Sequence, residues 1–505
     1  MTAPTQQITE ETLAAIQKAQ TTGIMTATGD YSYDLSGLIN LIPVVTPFRD
    51  LVPRTKSLNG NPFAVWRSFM DATNSQPDPS MGFDNAAPEM VFKLQTFQAA
   101  YKPTGMALNV TQDSYDLATG YQDGDPYANA TFQTLNQVLI ADDRKQLCAQ
   151  SFALAAASAP TLTQHASGGT IGAVQVYVGA AGRTGSGYFF GSGNSQGASA
   201  NTTFGSGSAN SVSATVPALR GAVAYDWFQS SNGTAWYYYG TTTTNTITMT
   251  GVITQNQAVT TGTSVPDLTA NWMGIAPGKP GYTGPTYNGS ADNGSANEND
   301  YDGFLASLTG DYNGNGQWAQ PGAGTANPSV WNSLNGAALT LTGGTIAEIE
   351  EYLFLPLWQQ VKCSPTAIMV NGIQAQEIAN LILNSNSATT FLNTDESGRV
   401  NVVAGGRVGT VLNAYTGGTP VPIEVHVSLP PGTIAARTDR VPFPNANITG
   451  VIEQRCLRDT AQFEYATARV PGVQGGGPRK ESEIRTMSAF VNRAPVAMAL
   501  LQNVA

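Results

Sequence analysis

The chain has 505 residues, only 12% of them charged, with 24 Lys and Arg against 35 Asp and Glu for a net charge of −11. That balance excludes a general nucleic-acid binder, which needs clustered cations to neutralise phosphates. The 18 Phe, 19 Tyr and 7 Trp exclude a disordered chain, and the missing charge is made up by Gly, Ser, Thr and Asn, the composition of a strand- and turn-rich protein.

From the N-terminus, Thr9-Glu10-Glu11 ahead of Leu13 and Ile16 predicts a short helix with acids in its first turn. The opening stretch has neither a basic region nor an apolar core, so it does not read as a signal peptide. No apolar run approaches the roughly 20 residues that span a bilayer. Pro43, Pro47 and Pro53 then rule out a long helix and predict an extended arm over residues 1–55. Residues 56–122 read as a long two-stranded excursion, in which Phe92 and Leu94 alternate with Lys93 and Gln95. A ribbon of that kind buries too little to stand alone and needs a partner surface.

Asp125-Pro126 supplies an N-cap and a proline at the first helical position. The run behind it has no Gly or Pro, and Phe132, Leu135, Leu139 and Leu147 recur at helical spacing. It predicts a helix of about 40 Å within 123–159. Composition shifts near residue 160: up to 270 the charged residues are Arg183, Arg220, Asp226 and Asp267 alone. Short alternating segments ("VQVYV", "AVAYDWF", "TAWYYYG", "TITMTGV") predict an inserted, immunoglobulin-like β-sandwich over 160–270, with Ile247 and Met249 facing away from Thr246, Thr248 and Thr250. A Gly/Pro/Asn linker opens 271–450, where mixed helix and strand patterning returns. Ile346, Ile349 and Leu353 share a helix face, "SPTAIMVNG" reads as a buried strand and "QAQEIANLILN" as a helix. "PIEVHVSLPPGTI" alternates regularly, which puts His426 on a polar face opposite Ile423, Val425 and Val427.

Three motifs invite chemistry. Gly193-Asn194-Ser195-Gln196-Gly197 spells a nucleophile elbow, but the motif works only as a strand-to-helix turn with a histidine base at hand. The chain has two histidines, His165 and His426, and the serine is followed by a Gly/Ser/Asn run, so Ser195 reads as a loop residue. "DYNGNG" from Asp311 opens like a calcium loop, but Gly322 stands where the bidentate glutamate belongs, so the stretch reads as a polar turn. "GGGPRKESEIR" (475–485) reads as a flexible, mixed-charge segment. Cys148, Cys363 and Cys456 are odd in number and far apart, which predicts reduced thiols and no zinc site. The sequence therefore offers no catalytic residues, no metal and no cofactor.

The order of parts is informative: arm, long hairpin, long helix, β insert, mixed domain, C-terminal return. With "SPTAIMVNGIQAQEIANLI", "GRVNVVAGGRVGTVLNAYTGGTPVPIEVHVSLPPGTI", "GVIEQRCLRDTAQFEYA" and "ESEIRTMSAFVNRAPVAMALLQNV", it resembles the major capsid proteins of tailed bacteriophages, whose fold is shared with the herpesvirus capsid floor. The resemblance implies an α+β fold with an N-terminal arm, an extended loop, a spine helix, and peripheral and axial domains, to which the sandwich is added. Residues 271–450 then hold the linker and axial domain, and 451–505 return through the peripheral domain.

It also implies a homo-oligomer of pentamers and hexamers forming an icosahedral shell around double-stranded DNA, bound without sequence specificity. Assembly in the host cytoplasm, incorporation in the virion, and scaffolding, portal and decoration proteins as partners follow from the same resemblance. Trp66, Arg67, Phe92, Lys93 and Phe97 are the expected contacts of the extended loop with a neighbouring subunit. The competing reading is a surface adhesin or carbohydrate-binding sandwich, suggested by the aromatic runs "YDWF" and "WYYYG".

Overall fold

The computed structural model describes residues 46–57, 61–71, 83, 93–111, 116, 126–189, 195, 197–252, 260–261, 300–342, 345–383, 393–394, 400–401, 409–441, 450–465 and 479–505. The predicted helix near Ile16 and the candidate contact Phe92 lie outside the described residues.

Two sheets organise an α+β body. The first has four strands in the order Arg54–Lys56, Ile452–Tyr465, Arg479–Asn492, Lys102–Thr111, the first pair parallel and the others antiparallel. Its two 14-residue strands run about 45 Å. Arg479 onward, read from sequence as a flexible segment, is therefore strand: Glu481, Glu483 and Arg485 alternate with Ser482, Ile484 and Thr486, and the second set is buried.

The helix Pro126–Cys148 lies on this sheet and begins at the proline as predicted. At 23 residues it is about 35 Å long and stops earlier than the composition suggested. Beyond it Ser151 is tied, through its backbone N–H and hydroxyl, to the Asp302 carboxylate, both at 2.8 Å. Gly303 lets that turn approach: a Cβ there would stand 2.7 Å from the carbonyl oxygens of Lys145 and Gln146. The predicted apolar stripe is also not the buried one. Phe132 is exposed and Leu135 and Leu139 are half-buried, while Val138, Asp142, Asp143, Gln146 and Leu147 face inward. The helix is clasped through polar groups, and an apolar periodicity cannot register such a face.

The second sheet has six strands in the order Val330–Ser333, Ala499–Gln502, Ile434–Arg437, Ala367–Val370, Thr419–Val425, Thr410–Asn413. Both faces are covered, and the strand Ala367–Val370 at its centre is apolar and buried throughout. Ile368 and Val370 enter one core with Ile349, Leu353, Phe354 and Leu501. Met369 points into the other with Phe48, Leu147, Phe304 and Phe490. Helices Ala347–Val361 and Gly372–Leu383 cover the first face, and Ile346, Ile349 and Leu353 are buried together as their spacing predicted. The former widens to a π-turn over Glu350–Phe354. Pro356 has no N–H to give the carbonyl of Tyr352, and the Asn332 side chain donates to that oxygen instead, at 2.8 Å.

Residues 161–261 form two sheets, one of five strands and one of three. Val176, Val178, Ala180, Tyr225 and Trp227 of the larger meet Val212, Ala214 and Met249 of the smaller in one core, with Ile247 and Met249 inward as predicted. This sandwich is sewn into the body. Val223 and Ala224 belong to the same core as Phe48 and Leu500. Arg220 donates to the Leu308 carbonyl and the Ser329 hydroxyl, each at 3.0 Å, and Gly221 N–H to Gln502 Oε1 at 3.1 Å.

Candidate assembly surface

Phe63–Asp71 and Lys93–Ala100 pair antiparallel as a two-stranded hairpin. Lys102–Thr111 turns back into the four-stranded sheet, so the excursion expected over 56–122 is shorter than predicted, and Arg54–Lys56 also belongs to the body. Alternation gives the hairpin two different faces. Ala64, Trp66, Ser68, Met70 and Phe97 are buried; Phe63, Val65, Arg67, Leu94 and Thr96 are exposed.

The inner face is anchored by three sets of contacts. Trp66 stacks on Phe97 with ring centroids 5.7 Å apart, and Phe97 packs on Trp318 at 4.3 Å and edge-on to Tyr312 at 5.0 Å. The Trp66 indole N–H and the Ser68 hydroxyl both donate to the Asn492 carbonyl, at 2.9 and 2.6 Å. Gln98 N–H donates to the Gly316 carbonyl at 2.7 Å, and Arg455 reaches the Val65 carbonyl at 2.7 Å. Arg455 and Arg493 share the Glu453 carboxylate, which is itself buried.

These contacts correct part of the sequence reading. Trp66 and Phe97, expected as contacts with a neighbouring subunit, are packed inside their own chain. Their partners Tyr312, Trp318 and Asn492 lie more than 200 residues away, where local pattern cannot see them. Arg67 is on the exposed face, opposite Thr96. Lys93 is placed by register alone, opposite Asp71 at the far end of the pairing. The exposed residues that sequence reasoning missed are Phe63, Val65 and Leu94, each more than 40% accessible, and Phe83, fully exposed in the span between the strands. The alternation within "FAVWRSF" carries the signal, since its period of two separates Phe63, Val65 and Arg67 from Ala64, Trp66 and Ser68.

The loop-borne motifs resolve into structure. Ser195 is buried: its N–H donates to the Gly182 carbonyl at 2.9 Å and its hydroxyl accepts from Gly182 N–H at 2.7 Å. His426 shares no partner with it. The alternation through "IEVHVSL" slips by one residue where Thr419–Val425 ends, so His426 is buried against Phe48 while Val425 and Val427 are exposed, the reverse of the predicted faces. His426 N–H still donates to the Val370 carbonyl, the last ladder bond as the chain leaves the sheet. Asp311 accepts from the backbone N–H groups of Gly322 and Asn327, at 2.6 and 3.1 Å, and thus closes a turn. Trp227, Phe228, Tyr225 and Trp236 are buried, which removes most of the aromatic surface that suggested an adhesin.

A polar junction fixes the chain ahead of the hairpin. The Asp143 carboxylate accepts from the N–H groups of Phe48 and Arg49, at 3.0 and 2.9 Å, and from the Ser428 hydroxyl at 2.6 Å. Asp143 caps the short helix Pro47–Leu51, where the N-cap Thr46 donates its hydroxyl to Asp50 and accepts from no helix N–H, although burial raises the pKa of Asp143. The neighbouring Asp142 holds Arg49 at 3.0 Å and Arg54 at 3.3 Å, and accepts from Gln146 and Gln454. Residues 46–56 are therefore integral to the body and are not a detached arm. The three cysteines are free, and burial pushes each thiol up, Cys363 and Cys456 to about 11. Among the described residues, no three His, Cys, Asp or Glu side chains are grouped to hold a metal.

No protein-family model matches the chain, and no curated protein does. In structure it is similar to the encapsulin complex of Synechococcus elongatus, at 9% identity over 97% of this chain and 95% of that one, with a TM-score of 0.36. It is similar to the capsid of a native GTA particle, at 7% identity over 95% and 96% with a TM-score of 0.38. It is similar to the capsid of cyanophage A-1(L), at 9% identity over 94% and 97% with a TM-score of 0.40.

Proposed function

We propose that this chain is the structural subunit of a closed shell of the tailed-phage capsid kind, built from pentamers and hexamers around double-stranded DNA. The observation that carries the proposal is the hairpin: one face is locked to its own body, and the other presents Phe63, Val65 and Leu94 to solvent. A two-stranded ribbon with an apolar free face is marginal in water and becomes stable when another surface covers it. An acidic chain suits a container that encloses DNA without gripping it. The role asks for repeated interfaces and not for catalytic groups, and scaffolding, portal and decoration proteins are its natural partners.

Sedimentation and electron microscopy of the chain expressed alone, and again with a scaffold, test the reading. Closed shells or sheets of rings are the expected product. A chain that stays monomeric under both conditions would refute it. Replacing Val65 and Leu94 by serine should leave the melting temperature of the monomer in place and reduce shell yield. Unchanged yield would remove the hairpin from the interface.

A further inference from the structure

Helix Gly372–Leu383 borders a cavity of about 500 Å³ whose walls include Leu339, Leu341, Leu381, Asn380 and Glu377. Among the described residues that line it the walls are mostly apolar, and Glu377 is the one charged side chain. Glu377 Oε2 is shut off from water and accepts no hydrogen bond, and burial raises the pKa of the group. One turn earlier on the same helix side, Gln374 is almost wholly buried with its Oε1 also unmatched. A buried acceptor without a donor is costly, and among the described residues that line the cavity there is no Lys or Arg to satisfy the Glu377 oxygen. The missing partner is a donor-rich cation on an apolar stem.

The exposed face of the hairpin carries such a group. Arg67 stands between Val65 and Phe69 along its strand, with Leu94 opposite Phe69 on the same face. Among the described residues Arg67 has no ion-pair partner. A guanidinium flanked by aliphatic side chains matches a leucine-lined cavity with one carboxylate in both respects. Copies that each carry a net charge of −11 repel one another, so complementary charge has to sit at the contact itself.

We propose that in the assembled shell Arg67 of one copy enters the Glu377 cavity of the next, with Val65 and Leu94 lying against Leu339, Leu341 and Leu381. The contact rests on the shell reading above, and charge reversal separates the two ideas. R67E and E377R alone should each raise the protein concentration at which shells form by about tenfold or more, since each sets like charges against one another. The double variant R67E/E377R should return that concentration to within about threefold of the wild-type value. Both side chains reach the surface, and thermal melts of the monomers should match the wild type and exclude misfolding as the cause. Singles that assemble normally, or folded singles that the double variant does not rescue, would overturn the contact and leave the shell reading standing. A wild-type chain that never assembles would overturn both.

Discussion

Asp302 shows how one carboxylate sets a pH response. It accepts two hydrogen bonds from Ser151, which favour the charged form, but burial dominates and Asp300 adds repulsion, so its pKa rises to about 6. The folded-state value lies above that of an unfolded aspartate, near ~3.9. The folded chain therefore holds this proton more tightly than the unfolded chain does. The stability contributed by the protonated acid is full below about pH 4 and is lost as pH rises through about 6. Replacing Asp302 by Asn keeps an acceptor for Ser151 and removes the charge. We expect D302N to flatten the stability profile between pH 4 and 6 and to be more stable than wild type at pH 7 by about 1–3 kcal/mol. Denaturant titrations at several pH values check this, and parallel profiles for the two proteins would show that Asp302 is not the group responsible. The Asp142 junction has the opposite character. D142A removes the carboxylate partner of Arg49 and leaves Arg54 only Asp459, and should cost about 3–5 kcal/mol in the same titrations.

The hairpin is the element whose stability depends most on distant residues. Phe97 is fully buried between Trp66, Trp318 and Tyr312. Phe97→Ala should cost about 3–5 kcal/mol locally. The four-stranded sheet does not rely on that ring, so the loss should appear as release of the hairpin. Limited proteolysis within 63–71 and 93–100 should accelerate while strands 452–465 and 479–492 stay protected from hydrogen exchange. Uniform loss of protection would instead make the hairpin part of the body's cooperative core. Sequence legibility follows the same divide. The helix start at Pro126, the strand 367–370, the helix after Gly372 and the inward set Ile346, Ile349 and Leu353 were all readable, because local periodicity and capping decide them. The face of the long helix was not, because Asp142, Asp143 and Gln146 are buried by partners far along the chain. Nor was the placement of His426, because a one-residue slip at a strand end reverses which side chains are buried. The faces of the candidate contacts were not legible for the same reason: Trp66 and Arg67 are adjacent, and adjacency in a strand means opposite faces.

At the scale of the whole molecule, the abrupt loss of charge between 160 and 270 signalled a β insert, and two packed sheets stand there. Composition could not reveal how far the insert shares the core of its host. Arg220 is the clearest tie, since one guanidinium binds the Leu308 carbonyl and the Ser329 hydroxyl across the boundary. Gly221 N–H and the Trp331 indole converge on the same Gln502 oxygen, at 3.1 and 2.7 Å. Val223 and Ala224 then continue into the core around Phe48, Phe304 and Leu500. A module attached by a linker would unfold on its own, whereas one with a shared core should melt together with its host. Calorimetry of the monomer should therefore give a single transition. R220A, which removes the guanidinium's bonds to the Leu308 carbonyl and the Ser329 hydroxyl across the boundary, should lower that transition as a whole, by about 1–3 kcal/mol at the midpoint. Two resolved transitions, with only one displaced by R220A, would make the sandwich an independent domain and the boundary contacts incidental. The distinction is mechanical: a sandwich that melts with the body is continuous with the four- and six-stranded sheets and can pass a load to them, and one on a free linker cannot.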